Sequence, residues 1–257
     1  MKPFEALGHI DADWPAPAHV HAGSTTRLGG FSQAPFDSLN LGYGSLDDAE
    51  TVRRNRQHLA RGLGLVDDPV WLRQQHGAVA VCADAEIGNP CADASFAGRP
   101  GVACAVLTAD CMPVLFCDRA GSRVAAAHAG WRGLAGGVLE SVLEGFRRPP
   151  EEVLVWLGPA IGPEYFEVGP EVRAAFEAVD PGAGVAFWPG AGDRSFADLF
   201  ELARRRLALR GVKAVYGGGV CTYSRPERFF SYRRDGRRTG RMASLIWMDA
   251  VPSVKPV

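Results

Sequence analysis

Residues 102–133 read VACAVLTADCMPVLFCDRAGSRVAAAHAGWRG, and the pattern of this stretch decides the fold. Residues 102–107 and 114–116 are short, continuous apolar runs, which are typical of strands covered on both faces. In residues 123–128, Val, Ala and His recur at every second position, which predicts a third strand. Gly-Trp-Arg-Gly then leads into a helix that ends near residue 147. The stretch therefore predicts core strands followed by a helix.

Strands and helices are mixed along the rest of the chain. Residues 70–82 predict a strand on which Gln74 and His76 share one face. A helix begins near residue 48, where Asp47 can cap it. Further predicted elements are strands at 153–157, 213–216 and 243–248 and helices at 170–178 and 196–209. Because the elements do not alternate strictly, we expect an α/β (α+β) fold of mixed β-sheets flanked by outer helices.

The composition is that of an ordinary globular protein. The chain has 257 residues, of which 47% are hydrophobic, and these can fill a sizeable core. A net charge of −1, from 28 basic and 29 acidic residues, gives no bulk attraction to nucleic acid or a membrane. The sequence has no signal-peptide pattern, and no apolar run approaches the roughly 18 residues of a membrane span. We therefore expect a cytoplasmic protein whose six cysteines are reduced.

Three potential metal ligands stand in motifs bounded by glycine or proline. They are His76 in Gln-Gln-His-Gly, Cys111 in Thr-Ala-Asp-Cys-Met-Pro and His128 in Ala-His-Ala-Gly-Trp-Arg-Gly. Two imidazoles and a thiolate suit zinc, and three protein ligands leave one position open for water or substrate. The ligands are too far apart in sequence for a compact zinc finger. The pattern predicts a catalytic metal site that the fold must assemble.

The same residues permit a metal-free interpretation. Cys111 could be a nucleophile with His128 as its base, as in cysteine hydrolases. A dyad of this kind does not need His76, which favours the metal. Asp110 is a candidate general acid/base, although it could equally cap the turn before Pro113.

Arg56 lies on the apolar stripe of the helix that begins near residue 48. A charge on a buried face needs a partner, so Arg56 either forms a salt bridge in the core or faces an anionic ligand. His128 stands at a strand end before a predicted helix N-terminus, which is also a favourable place for anions.

Four separated motifs resemble those of the laccase-domain family. Three are the ligand motifs, and the fourth is Phe-Phe-Ser-Tyr-Arg-Arg-Asp at 229–235 with Thr-Gly-Arg-Met-Ala-Ser at 239–244. The resemblance extends over about nine-tenths of the chain, from residue 25 to 248. That family has been described as polyphenol oxidase and as peptidoglycan editing factor, and is now regarded as a purine nucleoside phosphorylase with adenosine deaminase activity.

The resemblance implies a single domain, residues 1–257, with a fold similar to bacterial cysteine hydrolases. It implies zinc held by His76, Cys111 and His128, and phosphorolysis of adenosine, inosine, guanosine and methylthioadenosine. Purine nucleosides and phosphate are then the expected partners, and the oligomeric state stays open. The residues that match family motifs and that we expect to bind phosphate or substrate are Arg27, Asn40, Arg56 and Arg234.

Three alternatives to the phosphorylase remain. A multicopper oxidase needs many more histidines than the six present, so copper at the same ligands is disfavoured. A hydrolase that edits peptidoglycan precursors could use Cys111 or zinc-bound water. A binding protein with structural zinc would need a fourth ligand, and the other cysteines have no comparable turn motif.

Overall fold

The computed structural model describes residues 3–85 and 88–249. Within these residues the strands are β1 (Ile10–Asp11), β2 (Val20–Ser24), β3 (Ala80–Cys82), β4 (Ala94–Ala97), β5 (Cys104–Thr108), β6 (Met112–Asp118), β7 (Val124–Ala129), β8 (Val153–Leu157), β9 (Glu167–Val168), β10 (Phe187–Pro189), β11 (Ser195–Ala197), β12 (Ala214–Gly217) and β13 (Met242–Met248). The α-helices are α1 (Ala49–Gly62), α2 (Trp131–Gly136), α3 (Val138–Phe146), α4 (Pro170–Glu177), α5 (Leu199–Leu209) and α6 (Tyr232–Asp235). Among these described helices, none combines the length and the apolar character that crossing a bilayer requires.

The strands form three sheets. The largest has the order β12-β8-β6-β7-β4-β3, with parallel pairs at its two edges and antiparallel pairs between them. A second, antiparallel sheet has the order β1-β2-β13-β5. A small antiparallel sheet, β10-β11-β9, stands beside them. Mixed sheets are what the sequence predicted.

The central strand β6 explains why its sequence is apolar at every position. Val114 and Phe116 point into the core formed with the helices α3, α4 and α5. Leu115 and Cys117 point the other way, into the core shared with the second sheet. Because neighbouring side chains of a strand face opposite sides, a strand buried on both faces has no polar positions.

The second sheet is covered on both faces in the same way. Val106 of β5 and Ile246 of β13 face the largest sheet. Ala105 and Leu245 face outward and pack against Leu59 of α1. The layers are therefore α1, the second sheet, the largest sheet, and the helices α2 to α5. This arrangement confirms the prediction of mixed sheets flanked by outer helices.

The prediction of a strand over residues 70–82 is largely wrong, because β3 is the only strand that the structure has in this range. Val70 makes one parallel bridge to β5. The side chain of Gln74 then takes the place of a backbone partner: its Nε2 donates to the carbonyl of Leu107 at 2.8 Å, and its Oε1 accepts from the amide of Leu107 at 2.7 Å. The backbone itself is free to turn, and His76 has a left-handed φ of 59°.

Three helix boundaries differ from the predictions for local reasons. The single helix expected after His128 is two helices, α2 and α3, because Gly137 between them has a left-handed φ of 98°. The cap of α1 is Asp48 rather than Asp47. Helix α5 begins at Leu199, since the carboxylate of Asp198 caps it, and the preceding residues form β11.

Candidate metal centre and its cavity

His76, Cys111 and His128 come together in space. One potential ligand atom from each lies within 4.8 Å of the other two. The Sγ of Cys111 is 3.8 Å from the Nε2 of His76, and the rings of His76 and His128 meet edge to face with centroids 4.7 Å apart. The three motifs of the sequence therefore form one cluster.

Each ligand is placed by a different part of the fold. Cys111 directly precedes β6, and His128 is the penultimate residue of β7. These strands are antiparallel neighbours in which Pro113 lies opposite His128, so both ligands reach the same end of the sheet. His76 comes from the turn that follows Gln74. Two ligands are fixed by strand register, and the third depends on a turn.

A buried aspartate, Asp93, is hydrogen-bonded to the cluster. Its Oδ1 accepts a hydrogen bond from the Nδ1 of His128 at 2.8 Å. Its backbone carbonyl also accepts from the amide of His128 at 2.7 Å. Only 1% of Asp93 is exposed. Sequence patterns do not reveal this residue, because Asp93 stands just before β4 in a sequence with no recognisable motif.

Gly130 provides the space that two ligands occupy. A Cβ at this position would lie 3.0 Å from the Sγ of Cys111 and 3.0 Å from the Cδ2 of His76. Both distances are tighter than ordinary van der Waals contact. The glycine of the Ala-His-Ala-Gly motif is therefore required by the packing of the ligands, and it also caps α2, as the helix after His128 was expected to begin.

The ligands change one another's protonation. Burial by itself raises the pKa of the Cys111 thiol, but the charge of His128 and the hydrogen bonds of His128 and His76 lower it to about 6. Burial lowers the pKa of His128, whereas the Cys111 thiolate and the Asp93 carboxylate raise it above its usual value. The metal-free cluster therefore favours a thiolate beside an imidazolium. Metal binding must release the proton of His128.

A cavity of about 890 Å³ opens beside the cluster, and all three ligands line it. Its charge is strongly positive. The arginines in its lining are Arg56, Arg73, Arg132, Arg233 and Arg241. Aromatic side chains provide flat walls, and these are Tyr43, Trp71, Trp131, Phe166 and Tyr232. A site of this kind can hold an anion and an aromatic ligand together.

Of the residues predicted to bind phosphate, Arg56 reaches the cavity and the other three do not. Arg27 donates to the backbone and carboxylate of Asp37. Arg234 pairs with Asp235 and donates to backbone carbonyls of the segment that precedes α6. Asn40 is fully buried. The polar atoms of these three side chains are bonded within the protein, in the loops around the cavity.

Asp110 lines the cavity, but both oxygens of its carboxylate accept hydrogen bonds from the protein. Its Oδ1 accepts from the hydroxyl of Thr222 at 2.6 Å, and its Oδ2 accepts from the hydroxyl of Ser231 at 2.9 Å and the amide of Arg233 at 2.6 Å. These donors hold the arginine-bearing segment against the residue next to Cys111. The contacts favour a positioning role over the general acid/base role that we predicted.

The fold and the site define a class: an α/β sandwich with a His-Cys-His centre in an arginine-lined cavity. The sequence identifies the particular family within this class. The sequence model of the family described as "Multi-copper polyphenol oxidoreductase laccase" matches residues 21–249. The chain therefore belongs to this family, and the family resemblance inferred from the motifs is confirmed.

Relatives and solved structures agree with this placement. The chain is 57% identical over 240 residues to a purine nucleoside phosphorylase of Pseudomonas aeruginosa, covering 93% of this chain and 98% of that one. It is 54% identical to the purine nucleoside phosphorylase YfiH of Escherichia coli, with the same coverage. A crystal structure from Neisseria meningitidis superposes with a TM-score of 0.91 at 53% identity, over 94% of this chain and 99% of that chain. YlmD of Geobacillus stearothermophilus gives 0.85 at 32% identity, over 91% and 94%.

Proposed function

We propose that this chain is a zinc-dependent purine nucleoside phosphorylase that cleaves adenosine, inosine, guanosine or methylthioadenosine with phosphate. One observation carries the proposal: a three-ligand metal cluster shares its cavity with five arginines. The relatives in Pseudomonas aeruginosa and Escherichia coli are named for the same reaction. The family's oxidase description fits less well, because the described residues offer one cluster of three ligands and only six histidines stand in the sequence.

Arg56 supplies the first part of the phosphate site. Its guanidinium lies between two aromatic rings, 4.0 Å from the ring centroid of Trp71 and 4.4 Å from that of Tyr43. Its Nε donates to the carbonyl of Leu41 at 2.8 Å. Burial lowers the pKa of Arg56 to about 10, so it stays cationic at neutral pH. Within residues 3–85 and 88–249 Arg56 forms no ion pair, and a half-buried cation without a counter-charge favours an anionic ligand.

Arg241 supplies the second part. Its backbone amide donates to the Oδ1 of Asn40 at 2.9 Å, and its carbonyl accepts from the amide of Leu41 at 3.1 Å. The two arginines are therefore anchored on the same short loop. Burial lowers the pKa of Arg241 as well. Both side chains line the cavity, and two guanidiniums there could bind a phosphate dianion through forked, charge-assisted hydrogen bonds.

The remaining lining suits the nucleoside. In phosphorolysis a phosphate oxygen bonds to C1′ of the ribose while the C1′–N9 bond breaks, and the electron pair leaves with the purine. The arginines would bind and orient the attacking phosphate. Trp131, Phe166 and Tyr232 would stack on the base and exclude water from it.

The donor set and its spacing fit zinc. Ideal tetrahedral geometry, with Zn–S of about 2.3 Å and Zn–N of about 2.0–2.1 Å, places sulfur and nitrogen roughly 3.6 Å apart. The Sγ of Cys111 and the Nε2 of His76 are 3.8 Å apart. His76, Cys111 and His128 would hold the ion, and copper at the same ligands is disfavoured. Bound zinc would act as a Lewis acid and lower the pKa of a bound water to about 7.

We extend the proposal to adenosine deamination, in which water adds to C6 of the purine and ammonia leaves. The usual base-deaminase signature of His-x-Glu and Pro-Cys-x-x-Cys is absent from the sequence, so the scaffold differs. Our sequence hypothesis gave the proton transfer to Asp110. Because three donors already bind that carboxylate, we now assign it to holding the segment of Arg233 in place.

A second candidate is the hydrolase that edits peptidoglycan precursors. It is favoured by one observation: Asp93, His128 and Cys111 stand in the order of a carboxylate, a base and a thiol nucleophile. The candidates differ in what Cys111 does. A zinc ligand must be present for the metal to bind, whereas a nucleophile is needed only for the reaction.

The test of the phosphorylase is phosphate dependence. Protein with one zinc ion per chain, confirmed by metal analysis, is incubated with inosine in the presence and absence of phosphate. We expect hypoxanthine and ribose 1-phosphate in equal amounts, and no base release without phosphate. Base release that continues unchanged without phosphate sinks the assignment. Full zinc occupancy in an inactive Cys111→Ala variant would favour the hydrolase.

Arg56→Ala tests the phosphate site. We expect the KM for phosphate to rise at least about tenfold with zinc retained, because a charge-assisted, forked contact is lost. Arg54→Ala is the matched control: Arg54 is on the same helix but stacks on Phe31, outside the cavity lining. Equal KM values for phosphate in the two variants would contradict phosphate binding by Arg56 and leave it only a structural role.

A further inference from the structure

The carboxylate of Asp93 contacts two of the three candidate metal ligands, His76 and His128. Besides the Nδ1 of His128, its Oδ1 accepts the backbone amide of His76 at 2.8 Å. Its Oδ2 accepts the amides of Gln75 at 3.1 Å and Gly77 at 2.8 Å. Four donors therefore converge on one buried carboxylate, two on each oxygen.

This arrangement fixes the imidazole of His128. Because its Nδ1 donates to Asp93, the proton of the neutral ring is on Nδ1 and the lone pair is on Nε2. Nε2 is then the atom available to a metal. The backbone bond from the amide of His128 to the carbonyl of Asp93 fixes the position of the residue as well as the orientation of its ring.

The same carboxylate shapes the turn that carries His76. Three consecutive amides, of residues 75, 76 and 77, point at one carboxylate, which requires a tight backbone curve and accounts for the left-handed φ of His76. The carboxylate therefore determines where the third ligand stands.

The hydrogen bonds that Asp93 accepts favour its ionised form. Burial raises its pKa, but the hydrogen bonds from His128 and from the amides of Gly77 and Gln75 lower it below the usual value. An anion that four donors satisfy is stable in a buried position, whereas a neutral amide in its place would leave donors unpaired.

We propose that Asp93 is the positioning residue of the metal centre: one carboxylate fixes the tautomer of His128 and the turn of His76, and so sets the distance between the two imidazoles before the metal binds. This inference deepens the proposed function and rests on its zinc site alone. It does not depend on which reaction the cavity performs.

Asp118 offers a matched control. It is also 1% exposed, and its carboxylate accepts backbone amides of Ser122 and Arg123 in a turn. It lies at the end of β6 that is opposite to Cys111. Replacing Asp118 therefore removes a comparable buried carboxylate without touching the metal cluster.

The experiment compares Asp93→Asn with Asp118→Asn. Zinc affinity is measured by competition with a chromophoric chelator, and stability by urea unfolding of the metal-free proteins. We expect both variants to lose stability, because an amide NH₂ would face backbone donors. Only Asp93→Asn should bind zinc more weakly, by about 10- to 100-fold. Asp93→Asn affinity within twofold of the wild type, or an equal loss in both variants, would overturn the proposal.

A second measurement uses the wild-type protein, so this test does not require the Asp93→Asn variant to fold. In protein with ¹⁵N-labelled histidine, NMR should show the zinc-bound His128 protonated on Nδ1. A proton on Nε2 would overturn the proposal even if Asp93→Asn does not fold. Failure of the wild-type protein to bind zinc would instead overturn the zinc site of the proposed function, which separates the two failures.

Discussion

Cys111 differs from the buried thiols of the protein because of its neighbours. Cys104 and Cys117 are buried among apolar side chains between the sheets, and burial raises the pKa of both, that of Cys104 to about 12. At Cys111 the same effect of burial is outweighed by two imidazoles. A thiol of this kind is ionised near neutral pH, and thiolates are the reactive form towards both metals and alkylating agents.

The residue-scale prediction concerns alkylation of Cys111 in metal-free protein. Thiolate is present above the pKa, so the rate with iodoacetamide should rise through pH 6 and level off by about pH 7. For an ordinary thiol, with a pKa of about 8.5, the rise comes roughly 2.5 pH units higher. Modification at residue 111 is followed by mass spectrometry between pH 5 and 9.

Two comparisons make the alkylation result specific. Free N-acetylcysteine gives the profile of an unperturbed thiol, and stoichiometric zinc should protect Cys111 because the bound thiolate is no longer accessible. A midpoint near pH 8.5 for Cys111, or no protection by zinc, would contradict the electrostatic account of the cluster.

At the scale of elements, the loop of residues 40–44 connects the proposed phosphate site to the fold. The Oδ1 of Asn40 accepts the amides of Gly42 at 3.1 Å and Arg241 at 2.9 Å. Its Nδ2 donates to Ser45 at 2.7 Å and Asp47 at 2.9 Å. The sequence pointed to Asn40 as a phosphate ligand. The structure instead makes it the centre of the loop on which the two arginines are anchored.

Asn40→Ala should therefore act on phosphate binding at a distance. We expect the KM for phosphate to rise about tenfold while zinc occupancy is retained, because the loop loses the bonds that hold Arg241 and the segment of Leu41. Initial rates at saturating inosine and varied phosphate give the KM, and metal analysis gives the zinc content.

The control for Asn40→Ala is Asp48→Ala. It removes the N-cap of α1, where Asp48 accepts from the amide of Thr51 at 2.8 Å, and should cost about 1 kcal/mol of stability. A general loss of stability would raise the KM for phosphate in both variants. That outcome would contradict a specific role for the loop.

At the scale of the whole molecule, the layers could be predicted from sequence only in part. The apolar runs of β5, β6 and β8 indicated buried strands, since a run without polar positions needs cover on both faces. The sequence did not give the order of strands or the pairing of two sheets. The order and the pairing depend on contacts between residues far apart in sequence. Ile246 of β13 and Leu115 of β6, for example, lie in the same hydrophobic core between the two sheets.

The site was predictable to the extent that its signals are local. Each candidate metal ligand stands in a turn motif that is visible in a few residues. Asp93 acts through bonds to a turn 16–18 residues away in the sequence, and no local pattern marks it. The roles of the arginines were the hardest to predict, because the presence of Arg27 or Arg234 in a motif does not reveal which way its side chain points. Arg241 belongs to the same motif as Arg234 and does line the cavity.

The outer helical layer is joined by a buried ion pair that should matter for stability. Arg206 of α5 is 2.7 Å from Glu140 of α3, and both side chains are largely buried. Arg206→Ala should lower the free energy of unfolding by roughly 3–5 kcal/mol in urea, because Glu140 is left without its counter-charge. The exposed pair of Arg173 and Glu177 is the control, and Arg173→Ala should cost less than about 1 kcal/mol. Similar losses in the two variants would show that the buried pair does not join α3 and α5.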